Sequence, residues 1–103
     1  MSKYRAIRTE IDGIVFASKK EAARYQELRM LERTGYISGL KLQPRFTLHI
    51  NGVKVCDYVA DFGYLARDQK PVVEDVKGMK TPVYRLKYKM FHACYPQLRI
   101  TEL

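Results

Sequence analysis

Cysteine, long apolar runs and, over one long stretch, acidic residues are all scarce in this chain, and each scarcity excludes something. Two cysteines, Cys56 and Cys94, among 103 residues are too few for a disulfide scaffold, and they lack the spacing of a zinc site. Both are expected to be reduced, buried thiols. No segment approaches the ~18 consecutive apolar residues of a membrane span. The start, Met1-Ser2-Lys3-Tyr4-Arg5, is basic with no apolar region behind it, so no secretory signal is expected and a cytoplasmic location is. Repeats, low-complexity tracts and linkers are missing too, which leaves one domain over residues 1–103. Acids are absent between Asp75 and Glu102, where Lys77, Lys80, Arg85, Lys87, Lys89 and Arg99 stand.

That gap sits within a chain of net charge +8. A basic face attracts polyanions and speeds encounter with them, although lysines also serve plain solubility. With 47% hydrophobic and 29% charged residues, the composition is that of a folded domain rather than a disordered tail.

Periodicity gives the order of elements. Residues 1–16 carry a short apolar segment around Asp12-Gly13, expected as a small hairpin or arm. Ser18-Lys19-Lys20-Glu21 reads as a capping box, followed by Ala22, Tyr25, Leu28 and Leu31 on one stripe, with Gly35 to end a helix over about 19–34. From Leu40 the period becomes two. Asn51-Gly52 is a hairpin turn, the return strand runs from Val53 to about Tyr64, and Arg67-Asp68-Gln69-Lys70 turns again into Pro71–Lys77. Thr81 caps a second helix with Pro82 at its first position. Pro96 stops it, and residues 97–103 form a last strand. Helix, three-strand meander, helix and strand suggest an α/β fold with a mixed sheet flanked by helices.

Within the strands, two acids stand out. Asp61 interrupts the apolar run Tyr58-Val59-Ala60-Asp61-Phe62, and Asp75 stands two residues before Lys77, so those two share a face while Glu74 points away. Antiparallel pairing across the Arg67–Lys70 turn lets Asp61 approach Asp75. Two carboxylates side by side repel and are costly to bury, and a cation resolves both difficulties. Oxygen ligands at an open site suit Mg²⁺ or Mn²⁺. An ordinary ion pair of Lys77 with Asp75 or Asp61 is the alternative.

Asp61, then Asp75-Val76-Lys77 fourteen positions later, after a helix bearing Glu21, resembles the PD-(D/E)XK nuclease superfamily. The resemblance covers nearly the whole chain. The runs Ser18-Lys19-Lys20-Glu21-Ala22, Tyr58-Val59-Ala60-Asp61-Phe62 and Val73-Glu74-Asp75-Val76-Lys77-Gly78 look like a family of small phage and prophage proteins of unknown function, similar in architecture to Holliday junction resolvases. The resemblance implies a restriction-endonuclease-like core. It implies that Asp61 and Asp75 are ligands of Mg²⁺, for which Mn²⁺ would substitute, that Lys77 is the motif's lysine, and that Glu21 completes the site directly or through water. It also implies hydrolysis of DNA to a 5′-phosphate and a 3′-hydroxyl, a homodimer matched to paired scissile phosphates in branched DNA, and, for a phage protein, the host-cell cytoplasm. Ala60 stands where proline is usual, and Asp75 where glutamate is commoner.

Other residues keep two readings. Glu21 also fits a capping box. Gln43 is either exposed or close to the metal. Lys80, Thr81, Arg85, Lys87 and Lys89, at and beyond the start of the second helix, are candidate contacts for the DNA backbone. Tyr84, Tyr88 and Tyr95, with Phe91, are expected in the core or a dimer contact rather than stacked on bases. His49 and His92 are expected at the surface or with satisfied ring nitrogens. A non-catalytic basic nucleic-acid-binding protein on the same fold, and a nicking or mismatch-type nuclease acting on duplex ends or lesions, are the competing functions; the former expects Asp61→Asn to cost little stability or even raise it.

Overall fold

Turn chemistry shapes the first elements of the computed structural model, which describes residues 7–103. Strands β1 (Thr9–Ile11) and β2 (Ile14–Phe16) pair antiparallel across Asp12 and Gly13, which take left-handed φ of 55° and 76°. This is the expected hairpin; residues 1–6 of the expected arm lie outside the described residues. Helix α1 (Lys19–Arg33) starts where Ser18 Oγ accepts the Glu21 N–H at 3.1 Å. It ends in a Schellman motif: Gly35 adopts φ 82°, its N–H bonds to the Glu32 carbonyl, and the Tyr36 N–H bonds to that of Leu31 at 2.9 Å. The reciprocal half of the capping box is not formed, for among the described residues the Glu21 carboxylate makes no hydrogen bond.

The two long strands expected over 40–64 are each broken once. β3 (Ser38–Leu42) and β4 (Arg45–Ile50) are separated by Gln43-Pro44, and β5 (Val53–Val59) and β6 (Phe62–Leu65) by Ala60-Asp61. Gln43 sits at φ 51° and Pro44 has no N–H to give, so a regular ladder cannot pass. Two bonds bridge the bend, Gln43 N–H to the Asp61 carbonyl at 2.9 Å and Ala60 N–H to the Pro44 carbonyl at 3.1 Å. Beyond it, β4 and β5 leave as a separate ribbon closed by Asn51-Gly52, both at left-handed φ.

The main sheet has the order β3-β6-β7-β8. β7 (Pro71–Asp75) runs antiparallel to β6, while β8 (Ile100–Glu102), reached through α2 (Pro82–Cys94), runs parallel to β7. The fold is thus α/β with a mixed sheet and two helices. Thr81 Oγ1 caps α2 by accepting the Tyr84 N–H at 3.1 Å, with proline in the first turn.

Each helix has its own core. Against α1, Ala22, Tyr25 and Leu28 pack on Phe16 and Phe62. Against α2, Tyr84 and Phe91 pack on Val73 and Ile100 of the sheet and on Leu48, Tyr58 and Ala60 along the ribbon. The aromatic side of α2 is therefore its core side, with Tyr88 and Tyr95 packed alongside. Val83 and Leu86, on the other stripe, face solvent. His92 is a satisfied histidine: Nε2 accepts the Ile100 N–H at 3.2 Å, leaving Nδ1 protonated to donate to the Tyr88 carbonyl at 2.8 Å. His49 is exposed. Both cysteines are free, but half-buried rather than buried as expected, because Cys56 lies on the ribbon and Cys94 in the last turn of α2, at margins of the core. No helix among the described residues is long and apolar enough to cross a membrane.

Candidate metal centre and its cationic flank

Register builds the centre of the site. Phe62 pairs with Glu74 across β6 and β7, so one step further along the antiparallel pair Asp61 faces Asp75. On the other side of β7, Asp75 is the parallel partner of Glu102. Gln43, bonded through its N–H to Asp61, extends the row to Gln43, Asp61, Asp75 and Glu102. Phe62 and Glu74 belong to the α1 face; strand alternation sends Asp75 to the α2 face, where Lys77 meets Tyr84.

The two aspartates are tied into the backbone and to each other. Asp61 Oδ2 accepts the Val76 N–H at 2.7 Å. Asp75 Oδ1 accepts the Asp61 N–H at 3.2 Å and lies 3.6 Å from Lys77 Nζ. Asp75 is 0% exposed, and its second oxygen, Oδ2, is buried without a hydrogen-bond partner. An orphaned buried carboxylate oxygen is costly. Burial accordingly pushes the Asp75 carboxyl up to about 6, against the opposing pull of Lys77 and the Asp61 N–H. Burial raises Asp61 as well, with the Val76 N–H and Lys77 resisting.

Glu21 comes from the first turn of α1. Burial, followed by repulsion from Asp61 and then Asp75, pushes it up to about 7, and Lys77 pulls the other way. Its carboxylate thus lies within the field of both aspartates. Among the described residues, no three His, Cys, Asp or Glu side chains gather closely enough to hold one ion as they stand. Asp61 and Asp75 nevertheless fit a divalent ion. They are hard oxygen donors on adjacent strands, one with an unpartnered oxygen, and Mg²⁺ commonly takes one or two carboxylates and completes its shell with water.

Glu74, adjacent to Asp75, is claimed by the opposite face. Arg24 grips it through Nε–Oε1 at 2.8 Å and an Nη2–Oε2 contact at 2.6 Å, and the Tyr64 hydroxyl donates to Oε2 as well. Glu74 is thereby a partnered buried acid, and of the pair only Asp75 keeps an unpartnered oxygen. Sequence reading missed Arg24, although it lies one helical turn after Glu21.

At the rim, Lys80, Arg85 and Lys89 line a cleft of about 330 Å³ together with Tyr84, Tyr88 and Glu102. Lys80 pairs with Glu102 at 3.1 Å. Thr81 is the helix cap. Lys87 stands apart from this group, because its ammonium donates to the Asp57 carbonyl at 2.9 Å and ties α2 to the ribbon. Sequence reading also missed Glu102; its signal was the parallel pairing of the last strand with the strand bearing Asp75.

Over residues 1–103 the chain matches the family model described as "Protein of unknown function (DUF1064)". The chain belongs to the DUF1064 family. No curated protein and no solved structure matches it.

Proposed function

We propose that this chain is a metal-dependent DNA endonuclease on a restriction-endonuclease-like core, directed to branched DNA such as a Holliday junction. One observation carries the reading: Asp61 and Asp75 stand opposite each other beside Lys77, and Asp75 keeps a buried oxygen with no partner. The orphaned oxygen costs stability, as expected where a site is built for a ligand.

Asp61 and Asp75 would hold Mg²⁺ or Mn²⁺, with Glu21 completing the shell directly or through water. The ion supplies, when bound, polarisation of the phosphodiester and a water of lowered pKa. Lys77 presents its ammonium on the same face as the aspartates, suited to neutralise charge that develops on phosphate oxygens. Lys80, Arg85 and Lys89 give the strand an electrostatic path to the site. Contacts of this kind read backbone and shape rather than base sequence. Two sites on a branched substrate call for a homodimer, and the exposed Val83 and Leu86 on α2 provide apolar surface for it.

A second reading draws on the absence of a ready three-ligand cluster among the described residues: a non-catalytic DNA-binding protein on the same fold. Incubating the protein with a four-way junction, a linear duplex and a single strand, in Mg²⁺, in Mn²⁺ or in EDTA, separates the two. Cleavage of the junction that requires the metal and is lost in Asp75→Ala is the expected result. Binding without cleavage in both metals refutes the nuclease, and equal cutting of all three DNAs refutes junction specificity.

A further inference from the structure

Lysine carries a flexible four-carbon stem, so a catalytic ammonium must be held in place by something other than its own backbone. Here Lys77 Nζ lies 4.4 Å from the centroid of the Tyr84 ring and 3.6 Å from Asp75 Oδ1. The ring is itself fixed. Its hydroxyl donates to Glu102 Oε2 at 2.6 Å, and the other oxygen of Glu102 takes Lys80 at 3.1 Å. Tyr84 is 8% exposed, with Tyr58 and Tyr88 beside it, so it cannot swing away without opening the α2 core. Glu102 in turn is placed by its parallel pairing with Asp75. The contacts run unbroken from Lys80 at the cleft to Asp75 at the centre.

We propose that Tyr84, braced by Glu102, is a positioning residue that holds the Lys77 ammonium against the aspartates. Its catalytic consequence rests on the nuclease reading; the placement itself does not. A cation over a partly desolvated ring is attracted to its face, and a ring anchored at its far end restricts that cation to one position. Tyr84 packs on Lys77 and bonds to Glu102 rather than to either aspartate, so its effect on the aspartates is expected to pass through Lys77.

The test has a spectroscopic arm and a kinetic arm. A ring beneath the lysine displaces its ε-methylene proton resonances upfield, and Lys77→Arg assigns the displaced signal by removing it. The displacement is expected in the wild type, reduced in Tyr84→Phe, which keeps the ring but loses its anchor on Glu102, and abolished in Tyr84→Leu. On a four-way junction in Mn²⁺, Tyr84→Leu is expected to lower kcat ~10-fold or more with KM within ~3-fold, while Tyr84→Phe, which keeps the ring, lowers it only a few-fold. Glu102→Ala, at a more exposed position, covers the case in which Tyr84→Leu does not fold; it is expected to reduce the displacement and lower kcat a few-fold. An undisplaced Lys77 in the wild type overturns the inference, as does an unchanged kcat in Tyr84→Leu or, where that variant does not fold, in Glu102→Ala. A displaced signal in a wild type that cleaves no DNA refutes the nuclease reading, with the placement of Lys77 intact.

Discussion

Replacing Asp75 by asparagine should stabilise the metal-free protein, and only where the aspartate would be ionised. Burial lifts the folded-state carboxyl from 3.8 to about 6. At ~1.4 kcal/mol per unit, ionised Asp75 opposes folding by about 3 kcal/mol. Asparagine keeps an acceptor for the Asp61 N–H but brings donor hydrogens to the corner where Oδ2 had no partner, which reduces the expected gain to about 1–2 kcal/mol. The sign follows from linkage: with the folded value above the unfolded one, the wild type is favoured below about pH 4 and loses that advantage as the pH rises through about 6. Circular-dichroism melts in EDTA should therefore show Asp75→Asn above wild type by about 5–10 °C near pH 8, with little difference near pH 4. A variant that melts lower near pH 8, or an equal gap at both pH values, would refute the argument that Asp75 is a strained, ligand-ready acid.

Further outcomes follow from the same geometry. Mn²⁺ should stabilise the wild type near pH 8 by about 2.7 kcal/mol at ~100 times its Kd, seen as a higher melting temperature, and calorimetry should find that binding lost in Asp61→Asn and in Asp75→Asn. Arg24→Met strands buried Glu74 and should destabilise the fold by about 3 kcal/mol in urea unfolding; adding Glu74→Gln should restore most of it. Arg85→Ala and Lys89→Ala should each weaken junction binding and lower the salt slope by about 1. Lys87→Ala, which frees the Asp57 carbonyl, should instead lower stability and leave that slope unchanged.

The sequence was most legible where local chemistry decides structure. Ser18, Gly35, Asn51-Gly52 and Thr81-Pro82 mark their helix ends and turn because capping and left-handed backbone depend on a few adjacent residues. Asp75 and Lys77 on one face, with Glu74 on the other, follow from strand alternation. The break at Gln43-Pro44 was not legible, since alternation continues through it; Pro44, which removes a ladder donor, was the available signal. The Arg24–Glu74 pair spans 50 positions, and no local pattern announces a partner so distant. Glu21 shows the opposite failure. The capping box accounted for its position, yet only Ser18 performs its half of the motif, while the glutamate carboxyl lies in the field of the aspartates. For Asp61→Asn, stability no longer separates the catalytic and non-catalytic readings, because the side-chain oxygen that accepts from Val76 has a counterpart in asparagine.

Gln43 offers a test of whether the bend itself serves the site. Its φ of 51° is a conformation that a non-glycine side chain occupies at a cost of about 1 kcal/mol. Nothing about the backbone there calls for glutamine: its N–H reaches Asp61 whatever the side chain, and the side chain is exposed. Glycine relieves the strain but enlarges the unfolded ensemble by a similar amount, so Gln43→Gly should leave stability within ~0.5 kcal/mol of wild type, measured by urea unfolding. Because Gln43 lies in the row with Asp61 and Asp75, an unchanged fold that cleaves a junction several-fold more slowly would assign its carboxamide to the bound strand. A loss of more than ~1 kcal/mol would show that the strain argument is wrong and that the glutamine side chain holds the bend between sheet and ribbon.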